Sequence, residues 1–271
     1  MRALLPGVLL LTACGDITPP DPATEPVTYA TARFTIEDYA GLPVADVESL
    51  AVRLELDFDR VAARVPGFLP PPLPVTFRIE AGAGIPFVTP GQNRLTQWGE
   101  APRPEYFSHQ LTHLFTRYLR TNFIEEGLAV WVSEQLVLAG EQPDPYREQP
   151  PHAWVSLFDR HGSAISLFAA LRADNLGHDY LGSTADASAW QLFLEAGSFT
   201  RWLIDEYGFD RWRVFYDTGL LANAVGLDTP TLEQAWLAHV RAGYPNPLEC
   251  EDALGQLDGR EAFWCARARG Q

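Results

Sequence analysis

The chain is expected to fold as an α+β protein, predominantly α, in which a small N-terminal α/β lobe precedes a helical lobe. Two patterns in the first hundred residues and one beyond them carry this expectation. Val75, Phe77 and Ile79 alternate with Thr76 and Arg78, the period of a half-buried strand. Ahead of them, apolar residues at 44, 47, 50, 51, 54, 58, 61 and 65 repeat at the spacing of an amphipathic helix. After residue 104 helical spacing recurs segment by segment, with glycine and proline marking the breaks. At 46% hydrophobic and 12% aromatic residues, the chain has ample material for a core.

From the N-terminus, Arg2, the apolar run 3–11 and Thr12-Ala13-Cys14-Gly15 read as a signal peptide over residues 1–13. Leu11-Thr12-Ala13-Cys14 resembles the bacterial lipobox, which makes Cys14 the expected site of lipidation. Residues 14–27, with Pro19, Pro20, Pro22 and Pro26, form an extended tether. No other stretch approaches the roughly 18 apolar residues of a membrane span. The expected location is the bacterial cell envelope, lipid-anchored to a membrane, with the domain outside the cytoplasm. Residues 28–271 are then a single domain. Within it, 28–36 reads as a strand, 44–65 as a helix stopped by Gly67 and Pro70-Pro71-Pro72, and 74–80 as the alternating strand. Residues 81–90 form a loop rich in glycine and proline, and 93–97 a short edge strand.

Pro104 opens the helix that carries His109 and His113. Four residues advance a helix by about 400°, so the two imidazoles stack on one face and can grip one metal ion. Glu126 lies thirteen residues past His113; an unbroken helix would leave it about 140° away. A shared metal therefore requires a break near 119–122. Asn122 can cap the next helix, and Glu125 three residues later completes a reciprocal cap, which frees Glu126 to face the histidines. Gly127 costs roughly 1 kcal/mol against alanine in a helix, a cost explained if the two helices approach closely around an ion.

The remainder reads as a proline-rich loop at 141–151 and helices at 163–173, 185–207 (closed by Gly208), 209–216 and 229–239. His152, His161, His178 and His239 are placed on the surface, and Trp131 and the tryptophans from Trp190 to Trp212 in the core. Cys250 and Cys265, outside the cytosol, are expected to form a disulfide that staples the C-terminal tail and adds on the order of 3 kcal/mol. The formal net charge is −15 and every one of the 20 basic residues is arginine, which excludes nucleic acid as a partner.

His109-Gln-Leu-Thr-His113 followed by Glu126-Gly127-Leu128-Ala129 resembles the gluzincin branch of the zinc metallopeptidases, specifically the peptidase-MA-like domains of bacterial exported proteins. The resemblance covers roughly residues 28–243 and implies a zincin-like helical lobe with one Zn2+. His109 and His113 correspond to the two histidine ligands and Glu126 to the carboxylate ligand. Gln110 stands at the general-base position, where the family has glutamate. Its amide can hydrogen-bond to water but cannot accept a proton. The stretch 193–203 looks like the family's closing helix, with Phe193 near a place where members often carry tyrosine. In zincins a strand placed like 94–97 pairs with extended substrate, so Arg94 to Gln97 is the expected docking edge for a peptide or protein ligand. The expected function is a lipid-anchored zinc-binding pseudopeptidase or very weak peptidase. Two alternatives stand beside it: an active peptidase using another base, Glu125 being nearest, and a metal-free structural lipoprotein that binds a partner.

Overall fold

The structure, a computed structural model, describes residues 25–82, 86–89, 91–98, 106–117, 119–120, 122–142, 150–172 and 187–245. Cys14, Cys250 and Cys265 lie outside these residues, as do the expected signal peptide, most of the tether and Pro104. The fold is α+β and mostly helical.

Five strands form one mixed sheet: β1 (Val27–Ala30), β2 (Phe34–Asp38), β3 (Val75–Glu80), β4 (Phe87–Val88) and β5 (Arg94–Trp98), in spatial order β1-β2-β3-β5-β4. The run 28–36, expected as one strand, is a hairpin whose turn is closed by Thr31. The Thr31 hydroxyl accepts the Phe34 N–H at 2.9 Å, and Glu55 accepts the Arg33 N–H at 2.8 Å, so side chains take donors that would continue a strand. Helix α1 (Val44–Arg64) carries the chain from β2 to β3, which lie parallel. Phe34, Ile36, Val75, Phe77, Ile79 and Leu95 are buried on one face of the sheet, while Thr35, Glu37, Thr76 and Arg78 on the other are only half-buried. Among the described residues, helices cover the face that carries Phe34 and Phe77. There α1 sets Phe58 against Phe34 (centroids 6.1 Å apart), and α2 (Phe107–Thr116) sets Phe107 against Phe77 (5.3 Å) and Phe115 against Phe58 (5.1 Å).

β5 is not an edge. β4 pairs with it antiparallel, Phe87 opposite Thr96 and Val88 opposite Leu95, and the Thr89 N–H donates to the Arg94 carbonyl at 3.3 Å, so most of the outer side of 94–97 expected to dock a peptide is already paired. Among the described residues the outermost strands are β4 and β1. β4 escaped the sequence because two strand residues sit inside a stretch that composition marks as loop.

The helical lobe continues with α3 (Asn122–Leu138), α4 (Pro151–Arg160), α5 (Leu167–Arg172), α6 (Ala187–Tyr207), α7 (Phe209–Thr218), α8 (Leu221–Val225) and α9 (Thr229–Gly243). α4 was not expected: Pro150-Pro151 reads as a breaker, yet Pro151 occupies the first helical turn, where a missing N–H costs nothing. α9 is capped by Asp228, whose carboxylate accepts the Thr231 N–H at 2.9 Å, with Pro230 in the first turn. α3 is apolar on several faces, with Phe123, Ile124, Leu128, Ala129, Val130, Val132 and Leu136 all buried. Its closest partner is α6. A Cβ at Gly127 would lie 2.7 Å from the Ala196 carbonyl oxygen, and one at Gly197 would collide with Val130. Gly127 thus serves the α3–α6 contact, not an approach of α2 to α3. Trp202 and Trp212 are core residues, Trp131 is half-buried, and the apolar core is continuous from Phe34 to Val240.

His152 corrects a second expectation. It is 2% exposed on α4, its Nδ1 2.6 Å from Ser198 Oγ, which also accepts the Trp236 indole N–H at 3.1 Å. Burial, with Arg201 and His239 nearby, pushes its pKa down to about 3. His161 and His239 are exposed as expected, and His178 lies outside the described residues.

Candidate metal centre

α2 ends at Arg117, which adopts φ 60° and donates its N–H to the His113 carbonyl at 2.8 Å. The left-handed residue is the break that the spacing of His113 and Glu126 demanded. α3 then starts with its first turn held from below. The Glu125 carboxylate accepts the Arg120 N–H at 2.9 Å, and the Tyr216 hydroxyl from α7 lies 2.9 Å from Glu125 and 3.0 Å from the Thr116 carbonyl. Glu125 therefore has a structural role, but through the Arg120 N–H; the side chain of Asn122, expected as its partner in a reciprocal cap, is outside the described residues. Burial pushes its carboxyl up from the ordinary range. Tyr216 ties the end of α2 to the start of α3, and nothing local in the sequence marks a residue a hundred positions away for that task. On the other side of α2, Ser108 Oγ donates to Gln142 Oε1 at 2.6 Å and lies 3.2 Å from Ser133 Oγ, while the Gln142 amide donates to the Ser133 carbonyl at 3.1 Å.

Between these two clamps His109, His113 and Glu126 meet. His109 Nε2 is 3.0 Å from Glu126 Oε2 and 3.2 Å from His113 Nε2, and His113 Nε2 is 3.4 Å from the same Glu126 oxygen. Hydrogen bonds alone hold this triangle only with both Nε2 atoms protonated and donating to one Glu126 oxygen, which sets two N–H groups face to face 3.2 Å apart. A cation between the three atoms removes that opposition. Ligands placed tetrahedrally at about 2.0–2.1 Å from zinc lie about 3.3–3.4 Å apart, close to the three separations observed.

The electrostatics agree with that donor set. Burial favours the neutral form of His109 and, although Glu126 pulls the other way, the net pKa falls. Burial pushes Glu126 up, but His113 and His109 outweigh it and hold the carboxylate ionised well below its usual range. Neutral imidazole and ionised carboxylate are the forms that bind metal. These three are the group of potential ligands that converges among the described residues. Gln110 is buried one position along the helix, and its side-chain oxygen has no hydrogen-bond partner. Phe193 is half-buried on α6 and offers no polar group.

Compared by sequence, the chain matches no protein-family model and no curated protein. What supports a metal centre is the cluster itself, on two helices whose separation the break at 117–121 creates.

Proposed function

We propose that this is a zinc-binding protein of gluzincin-like build, lipid-anchored through Cys14 in the bacterial envelope, with peptide hydrolysis lost or very weak because Gln110 occupies the general-base position. The observation that carries the metal reading is the convergence of His109, His113 and Glu126, whose ligand atoms lie 3.0, 3.2 and 3.4 Å apart, close to the spacing of ligands around one zinc. Two histidines four apart on one helix with a carboxylate from the next is a donor set suited to zinc.

Zinc held there would supply a bound water of pKa near 7 and a Lewis acid toward a peptide carbonyl. His109, His113 and Glu126 would hold the ion, and Gln110, at the next position, could hydrogen-bond but not take a proton. Absence of a general base costs about 10² to 10⁴ in rate. Glu125 is not a substitute: it is fully buried, and the Arg120 N–H and Tyr216 hydroxyl engage it. The centre then serves to bind an extended peptide more than to cut it.

The experiment is the Gln110→Glu variant of the full chain, assayed on a quenched fluorescent peptide library beside the natural chain. The proposal expects a gain of about 10²-fold or more in the variant. High hydrolysis by the natural chain, unchanged by the substitution, would sink it.

A further inference from the structure

Next to the cluster lies a cavity of about 170 Å³ that the metal reading does not use. His113 forms part of its wall, and Pro71, Val88 and Leu114 complete an apolar, buried base. An apolar cavity of about 150 Å³ accepts benzene, so this one has room for the side chain of leucine or phenylalanine.

Two polar features stand beside that apolar base. Arg117, exposed at the rim, is one turn past His113, about 6 Å farther along α2. It holds φ 60°, a conformation for which glycine is the ordinary choice at a helix end and which costs a longer residue on the order of 1 kcal/mol. The backbone thus bears strain at a position that carries a guanidinium, and among the described residues no ion pair engages it. Asn93 also lines the cavity. Its amide nitrogen donates to the carbonyl oxygens of Pro72 and Pro74, which fixes this part of the wall, and its own oxygen is buried. An apolar hole beside an unengaged guanidinium corresponds to the side chain and carboxylate of a peptide's last residue.

We propose that this cavity recognises the carboxyl-terminal residue of a peptide when that residue is leucine, phenylalanine or one of similar size and apolarity. The side chain fills the space against Val88 and Leu114, and the terminal carboxylate pairs with Arg117. Recognition itself needs no ion. The inference rests on the metal reading only for any chemistry on the docked peptide, since His113 places its last residue against the cluster. It also names the class of peptide that such a centre would receive.

The test uses the full chain in mild detergent and two probes, N-acetyl-alanyl-leucine and its carboxamide, with affinities measured by calorimetry before and after chelator treatment. The acid should bind about tenfold or more tightly than the amide, the ratio expected for one charge-assisted pair. Arg117→Gly should abolish that ratio while unfolding at the same or a higher urea concentration, because it relieves the positive φ. Val88→Phe should weaken acid and amide alike by filling the base and should leave metal content unchanged. Equal affinity for acid and amide in the natural chain, or an acid preference that survives Arg117→Gly, overturns the inference. A chain that purifies without zinc, before any chelator, and still discriminates acid from amide defeats the metal reading alone. Zinc without discrimination defeats only this one.

Discussion

Gly127→Ala separates two opposing effects on one helix. By intrinsic propensity, alanine in mid-helix is worth about 1 kcal/mol more than glycine, and the exchange should stabilise α3. Packing predicts the reverse. The new Cβ would sit 2.7 Å from the Ala196 carbonyl oxygen, inside the distance that real Cβ atoms keep, and would also strike Thr200 Oγ1. The threonine can turn away, but the carbonyl is α6 backbone, so the helices themselves must separate. Overpacking of this kind costs about 1–3 kcal/mol, and because the atom struck is backbone the upper part of that range applies, so against a gain of about 1 kcal/mol the net loss is about 1–2 kcal/mol. Because Glu126 is the adjacent residue, the same displacement should weaken zinc binding. The assay is urea unfolding in chelator, followed by competitive zinc titration. Gly243→Ala, whose Cβ would meet nothing within 4 Å, is the control and should be neutral or slightly stabilising. If Gly127→Ala gains stability as the control does, the account of how α3 is seated against α6 is wrong.

Other consequences can be measured on the same preparations. Tyr216→Phe should cost about 1–3 kcal/mol in urea unfolding, since it removes a hydroxyl from between the Thr116 carbonyl and a fully buried Glu125, and it should reduce zinc affinity by loosening the turn between α2 and α3. Gln97→Leu should raise stability by about 1 kcal/mol or more, because both polar atoms of this fully buried side chain lack partners; a lower unfolding midpoint would contradict that reading. His152 makes stability depend on pH. The unfolded chain takes its proton as pH falls below 6.5, whereas in the fold burial delays it to about 3, so stability is full above 6.5 and is lost on the way down. At pH 5 the loss is about 2 kcal/mol, from 1.5 units at 1.36 kcal/mol each. His152→Gln should flatten the decline between pH 6.5 and 5, and an unaltered slope would exclude His152 as its source.

The parts of the fold legible in sequence are those that one element determines alone. The apolar spacing in 44–65 specified α1 to within a residue, and the alternation of Val75, Phe77 and Ile79 specified β3. The centre was legible for the same reason: His109 and His113 share a helix, and angular arithmetic alone required a break before Glu126 could join them. What failed depends on contacts between elements. β4 is two residues long and is a strand only because β5 pairs with it. Gly127 looked like an accommodation to the neighbouring helix in sequence, whereas its partner Ala196 lies across a different interface. A histidine beside two prolines gave no sign that Ser198 and Trp236 would enclose it. Tyr216 and the cavity beside His113 likewise exist only once distant segments have assembled.

The central claim is that His109, His113 and Glu126 hold zinc, and metal content tests it most directly. The full chain, purified in detergent without added metal, is analysed by inductively coupled plasma mass spectrometry beside His109→Ala. The account predicts about one zinc per chain in the natural protein and a small fraction of that in the variant. Stoichiometric metal of another kind, zinc that persists at full occupancy in His109→Ala, or no metal in either protein would contradict it.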